Sequence, residues 1–397
     1  MNNAPLSVVR LRPKIDPRPL RRGFPWVYAD QLVTDRRTKA LGPGSFAVLE
    51  DTNRAPMALV TVNTNSKIIA RVMDPAPDAV INGAWMAARI KRALDLREKL
   101  YAAPYYRLVH AEADGLPGVV IDRFGDTAVI QPNAAWAEVH FDALAGAVQS
   151  VTGVSTIIKN AMGRSRKLEG LDEETSVVLG SVDGPIPVLM NGATYMADVL
   201  GGQKTGLFLD QRENHAFAAQ FAKNADVLDV FSHVGGFGLA ALAAGATRTV
   251  CVDGSSPALD LAQQGADAMG AGDRFETVQD DAFAALERLA QQGAKFDVVI
   301  CDPPAFAPSK QALEAGLRAY ERIARLATPL VRDGGMLGLC SCSHAAEMTK
   351  FRAACIRGIG KSGRSGQILH SGAAGPDHPM LPQLVESGYL KSLFFRL

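Results

Sequence analysis

Residues Asp226–Gly238 read DVLDVFSHVGGFG. Asp226–Phe231 has the length and apolar content of a buried strand, and Phe237–Gly245 (FGLAALAAG) reads as a helix. Between them Gly235, Gly236 and Gly238 let the backbone turn tightly and approach a ligand closely. Downstream the alternation repeats. TVCVD (Thr249–Asp253) and FDVVICD (Phe296–Asp302) are strands, GGMLGLCSC and GYLKSLFFRL are two more, and Ala-rich helical runs separate them. This pattern predicts an open, mostly parallel α/β sheet covered by helices on both faces. Ligands in such sheets bind beyond the carboxyl ends of the strands.

Upstream the pattern differs. Gly44–Asp51, Ala55–Asn63 and Ser66–Met73 are short β-rich runs separated by turns, which predicts a small barrel or sheet over residues 1–75. The Pro-rich joint DPAPD (Asp74–Asp78) closes it. An amphipathic helix near Trp85–Leu100 comes next, with Met86, Ile90, Ala93 and Leu100 at helical spacing. Residues 76–189 then read as a linker helix and a central α+β subdomain. Two of its strands are joined by the breaker run Asp114–Gly118, and a helix is expected at about 136–152. Residues 190–397 form the α/β domain.

Charge is uneven. Residues 1–75 hold twelve Lys and Arg against six Asp and Glu, a net +6, whereas the whole chain is +1. Six of the basic residues fall in RLRPKIDPRPLRR, between Arg10 and Arg22. A basic module on a mildly acidic body suits contact with a polyanion such as RNA. The opening MNNAPLSVVRLRPK lacks the layout of a secretory signal, and no apolar run reaches the ~18 residues of a membrane span. A cytoplasmic protein without membrane contact is expected, with its thiols reduced.

The glycine spacing is G-G-x-G, not the G-x-G-x-x-G of dinucleotide sites. Asp253 ends the next strand, where an acid can hold a ribose diol of NAD or of S-adenosylmethionine (SAM). Asp281 ends the third strand, where a carboxylate can accept an adenine amino group. CDPPAF (Cys301–Phe306) discriminates between the two cofactors. Asp302-Pro303-Pro304 with Phe306 resembles the loop of class I SAM-dependent methyltransferases that act on nucleobases. The prolines remove two donors and stiffen the loop, so that Pro303, Pro304 and Phe306 can hold a planar base.

The next strand ends in LCSCSH (Leu339–His344). Cys340 and Cys342 are too few for a zinc site, and no metal is expected. A disulfide between residues i and i+2 has poor geometry. Alternation puts both on one face, with Cys340 deeper, as packing, and Cys342 at the ligand rim beside Asp302. A rim thiolate suits one methylation: adding to C6 of cytosine, it makes C5 nucleophilic.

These stretches together resemble the bacterial large-subunit ribosomal RNA cytosine-5 methyltransferases that carry an N-terminal PUA domain. GFPWVYAD resembles the PUA portion and YRLVHAEADGLPGVVIDRFGD the central subdomain. GGQKTGLFLDQREN (Gly201–Asn214), DVFSHVGGFG, DPPAF, SCS and the C-terminal DHPMLPQLVESGYLKSLFFRL complete the match. The resemblance implies SAM as cofactor and ribosomal RNA as partner, and leaves a homodimer open. It places Gln211 and Arg212 against SAM, with Arg212 suited to the methionine carboxylate. Asp229, Phe231, Ser232, Gly235, Gly236, Asp253, Asp281 and Asp302 join them on the cofactor side. Cys342 takes the nucleophile position, with Asp302 as its catalytic neighbour. A second cysteine three residues after the Asp, used by Nop2/Sun-type enzymes, is absent: Ala305 stands there. An exocyclic-amine methyltransferase, needing no thiol, and an RNA-binding assembly factor with this fold remain the alternatives.

Overall fold

The computed structural model describes residues 6–202 and 205–397. Gln203 and Lys204, inside the Gly201–Asn214 stretch, lie outside the described residues. The chain divides into two compact units, one of residues 1–183 with 377–387, the other of residues 184–376 with 388–397. Among the described residues no helix is long and apolar enough to cross a membrane.

The first unit holds two five-stranded sheets. Strands β1 (Ser7–Arg10), β2 (Trp26–Val27), β3 (Ser45–Glu50), β4 (Pro56–Val62) and β5 (Ala70–Asp74) pair in the order β1-β3-β4-β5-β2. Val9, Leu11, Leu49, Val60 and Val62 fill their core. Arg71 ties this sheet to later segments of the same unit, donating to the buried carboxylates of Glu112 at 2.8 Å and Glu169 at 3.0 Å. Asn63 and Ser66 also donate to Glu169.

Asn82 caps the helix Gly83–Leu100 by accepting from the Trp85 N–H at 2.9 Å. Met86, Ile90 and Ala93 of the predicted stripe are buried, but Leu100, the last helical residue, is exposed. Arg97, on the same buried face, forms a two-bonded pair with Asp114 at 2.7 and 2.8 Å. That pair fixes the Asp114–Gly118 turn, because Asp114 also accepts from the His110 N–H at 2.7 Å.

The second sheet has the order β10-β9-β8-β7-β6. Its strands are β6 (Tyr105–His110), β7 (Val119–Phe124), β8 (Thr127–Pro132), β9 (Thr156–Ala161) and β10 (Glu174–Leu179). The single helix expected over 136–152 is two, Ala135–Val139 and Phe141–Thr152. His140 interrupts it with φ −109° and ψ 25°, and its ring stacks on Phe46 at 5.2 Å.

The second unit carries a hairpin, β11 (Ile186–Met190) with β12 (Ala193–Ala197), and a seven-stranded sheet. Its strands are β13 (Asp226–Val230), β14 (Arg248–Asp253), β15 (Phe275–Gln279), β16 (Phe296–Cys301), β17 (Val331–Ser341), β18 (Gln367–Gly372) and β19 (Lys391–Arg396). They run in the order β15-β14-β13-β16-β17-β19-β18, parallel from β15 to β17 and antiparallel at β19. Leu228, Val230, Val252 and Val299 pack into one core, and Val227, Val298, Ile300 and Phe394 into the other. Such side-chain alternation is what a sheet covered on both sides requires. The carboxyl ends of β13, β14, β16 and β17 therefore share one edge.

Candidate active site

The loop after β13 is bent by alternating left-handed residues: Phe231 at φ 61°, His233 at φ 51° and Gly235 at φ 78°. Two of these are not glycine, and such conformations cost free energy that surrounding bonds must offset. The bonds are present. The Ser232 N–H donates to Val252 O at 3.1 Å, and the His233 N–H to Asp253 Oδ2 at 2.8 Å. Beneath the loop, fully buried Asp229 accepts from the Gly238 N–H at 2.8 Å, at the start of helix Gly236–Ala243. Burial pushes the Asp229 carboxyl up to about 7; the Gly238 bond opposes this and the charge of Asp253 adds to it. Gly238 itself admits no side chain, since a Cβ there would lie 2.4 Å from the Cys251 sulfur.

After β16, the Asp302 N–H donates to Val230 O at 3.1 Å, which fixes the DPP loop beside the glycine loop. Asp302 Oδ2 accepts from Gln211 Nε2 at 2.9 Å, and Gln211 Oε1 accepts from Asn214 Nδ2 at 2.6 Å. Phe306 packs on Tyr320 with ring centroids 5.1 Å apart. After β17, three buried hydroxyls meet: Ser341 Oγ donates to Tyr320 Oη at 2.8 Å, and Tyr320 Oη and Ser343 Oγ are 2.7 Å apart. Ser343 Oγ also accepts from the Ala307 N–H at 2.9 Å, so the thiol segment and the DPP loop are tied through one side chain.

A cavity of about 270 Å³ opens between these loops. It brings together Gln211, Asp229, Phe231, Ser232, Gly236 and Asp253 with Asp302, Pro303, Pro304 and Cys342. Arg212, Gly235, Asp281 and Phe306 stand outside its wall. Arg212 is buried at the start of helix Arg212–Ala219. Asp281 caps helix Ala282–Gln291, accepting from the Phe283 and Ala284 N–H groups at 3.0 Å.

The wall also holds residues that sequence reasoning missed: Asp210, His215, His233 and Ser255 among them. His215 lies one residue beyond the DQREN stretch, and no local signal marks it. Burial drives its imidazole down to about 3, so it is neutral. Its Nδ1, Asp229 Oδ1 and Ser232 Oγ are buried polar atoms without a hydrogen-bond partner among the described residues. Buried polar atoms are rarely left so unless water or a ligand completes them. With the Asp253 carboxylate on the same wall, they fit a polar nucleoside cofactor such as SAM.

The five cysteines separate by surroundings. Cys251, Cys301, Cys340 and Cys355 are buried, and burial pushes each thiol up. Cys340 accepts from Ser392 Oγ at 3.2 Å within the core. Cys342, by contrast, is only half-buried and faces the cavity. Among the described residues no group of three or more His, Cys, Asp or Glu is placed to hold a metal ion.

Known proteins share this architecture and sequence. The family model for S-adenosylmethionine-dependent methyltransferases matches residues 176–396, and that for PUA-like domains residues 9–75. The ribosomal RNA large subunit methyltransferase I of Alteromonas mediterranea is 33% identical over 97% of this chain and 97% of its own. That of Aeromonas hydrophila is 36% identical over 84% and 85%. The solved structure of SMU.776, described as a methyltransferase and complexed with SAH, superposes with a TM-score of 0.82 at 20% identity, over 98% of this chain and 99% of that one. The cofactor is SAM. The chain belongs to the ribosomal RNA large subunit methyltransferase I family, SAM-dependent methyltransferases with a PUA-like domain at residues 9–75.

Proposed function

We propose that this enzyme forms 5-methylcytosine in large-subunit ribosomal RNA, a substrate that puts it in the cytoplasm, with Cys342 as the nucleophile. One observation carries the reading: of the five cysteines, the one that is not buried shares a cavity wall with Asp302, Pro303 and Pro304. The Cys342 thiolate adds to C6 of the cytosine, and the C5–C6 electron pair shifts to make C5 nucleophilic. SAM supplies one electrophilic methyl group. A base then removes the C5 proton, and the thiolate leaves as the ring's double bond re-forms. Asp253, Ser232 and Gly236 are assigned to the cofactor, with Gln211 holding Asp302 beside it. Arg212, at the head of its helix, is assigned to the methionine carboxylate. Pro303 and Pro304 are assigned to the face of the base. Gly235 shapes the turn, and Asp281 and Phe306 support the rim from behind.

The test is an RNA carrying 5-fluorocytosine at the methylated position. Fluorine cannot leave as the proton does, so wild-type protein should be trapped as a covalent adduct and the Cys342→Ala variant should not. An active Cys342→Ala enzyme would remove this mechanism and favour methylation of an exocyclic amine, for which the DPP loop suffices. Unchanged 5-methylcytosine in ribosomal RNA from cells lacking the protein would remove the substrate.

A further inference from the structure

The cavity is acidic. Asp210, Asp229, Asp253 and Asp302 line it, and among the described residues no Lys or Arg side chain does. A thiolate forming there needs a nearby cation or a proton acceptor. Lys391 meets that need. It is the first residue of β19 and pairs in register with Ser341, the last residue of β17. Its side chain is buried, with the residue 7% exposed. Nζ donates to Ser343 O at 2.8 Å and Tyr389 O at 2.7 Å, which anchors it to the residue that follows Cys342.

We propose that the buried Lys391 ammonium stabilises the Cys342 thiolate and so eases ionisation of the thiol. The S–H bond breaks, its electron pair stays on sulfur, and the proton passes to water. The ammonium has three N–H groups, of which the Ser343 and Tyr389 carbonyls take two, so the charge is held in one place beside the thiol segment. Burial pushes the Lys391 ammonium down from its ordinary value, and charge on Cys342 opposes that shift. Asp302 and Asp210 line the same cavity as Cys342, Tyr320 from helix Leu313–Ala327 feels the Cys342 charge, and Asp210 accepts from Tyr389 Oη at 2.6 Å. His344 lies 5.7 Å from the Tyr389 ring. The carboxylates disfavour a thiolate, and the Lys391 ammonium opposes them.

This inference rests on Cys342 being the nucleophile, yet its test does not use turnover. The alkylation of Cys342 by iodoacetamide is followed across pH by mass spectrometry, in ligand-free full-length protein. Lys391→Gln keeps amide N–H donors for the two carbonyls and removes the charge. Lys391→Arg keeps the charge. Wild type and Lys391→Arg should alkylate with midpoints below the ordinary thiol value of about 8.5. Lys391→Gln should move the midpoint up by about one unit and slow alkylation at pH 7 about tenfold. A Lys391→Gln protein that still binds S-adenosylhomocysteine and keeps the wild-type profile would overturn the proposal. If Lys391→Gln fails to fold, a folded Lys391→Arg protein decides: a midpoint raised to the ordinary thiol range overturns the proposal, and a retained low midpoint supports it. A 5-fluorocytosine adduct that forms while the profile is unmoved would sink the role of Lys391 alone. No adduct with an intact Lys391 effect would sink the nucleophile instead.

Discussion

Asp229 bears directly on pH dependence at the level of single residues. Its buried carboxyl, raised to about 7, holds its proton in the folded state while the unfolded chain releases it near ~3.9. Folding stability from this group is therefore fully present below ~3.9 and is lost as pH rises to about 7, by on the order of 4 kcal/mol at most. Asp229→Asn keeps an acceptor for the Gly238 N–H and cannot ionise. Its thermal midpoint should exceed that of wild type at pH 8 and converge on it toward pH 4, and parallel curves would show that Asp229 does not titrate. The two thiols of LCSCSH should also part company. Cys342→Ala should abolish methyl transfer while S-adenosylhomocysteine still binds in calorimetry. Cys340→Ala should stay active and lose roughly 1 kcal/mol of stability, the ordinary cost of a small core truncation. Both thiols were legible because period-two alternation puts them on one face and the end of the strand leaves only Cys342 at the rim. Lys391 and Tyr320 were not, since they come to the thiol from other elements and no local pattern marks them.

Three elements converge on the hydroxyl group of Tyr320. It binds the last residue of β17 and Ser343, while Ser343 Oγ also receives the DPP loop through the Ala307 N–H. Tyr320→Phe keeps the ring packing against Phe351, 5.0 Å away, and removes only the shared oxygen. The variant should lose about 1–3 kcal/mol by denaturant melt, from the buried serines left short of a partner. Its kcat should fall more than its SAM affinity, because the cofactor loop is not tied to Tyr320. Equal kcat would show that the DPP loop and Cys342 hold their spacing without this tether. The strands β13, β14, β16, β17 and β19 were readable as apolar runs ended by Asp, Gly or polar residues. Strand β18 was not: it is an edge strand with Ile368 and Leu369 exposed, so no buried face imposes a pattern. The break at His140 escaped for a different reason. The His140 ring stacks on Phe46, far away in sequence, and helical spacing continues across the break.

For the whole molecule, the basic N-terminal residues cannot be tested by deletion. Removing residues 1–75 would take Arg71, Asn63 and Ser66 from Glu112 and Glu169, and stranding buried carboxylates costs about 3–5 kcal/mol. Substitution is cleaner. Arg12, Lys14 and Arg22 are exposed. Changing all three to Gln should weaken RNA binding at low salt and reduce the slope of log affinity against log salt by about one for each phosphate no longer neutralised. Binding of S-adenosylhomocysteine should not move. An unchanged slope would mean that this arm is only solvated surface. The domain order was legible in the sequence, from the shift between short β runs and strand–helix alternation. The assignment of residues 377–387 to the first unit was not, because nothing local marks a chain that leaves one unit and returns. The position of β19 between β17 and β18 has a further consequence. During synthesis β17 emerges about fifty residues before its antiparallel neighbour, roughly 3–10 s at 5–20 residues per second. Throughout that interval its open edge can pair with other chains. Nascent chains arrested before Lys391 should therefore scatter light and sediment, and ones arrested well beyond Leu397 should not, so this enzyme's exposure to misassembly is set by translation speed over that one segment.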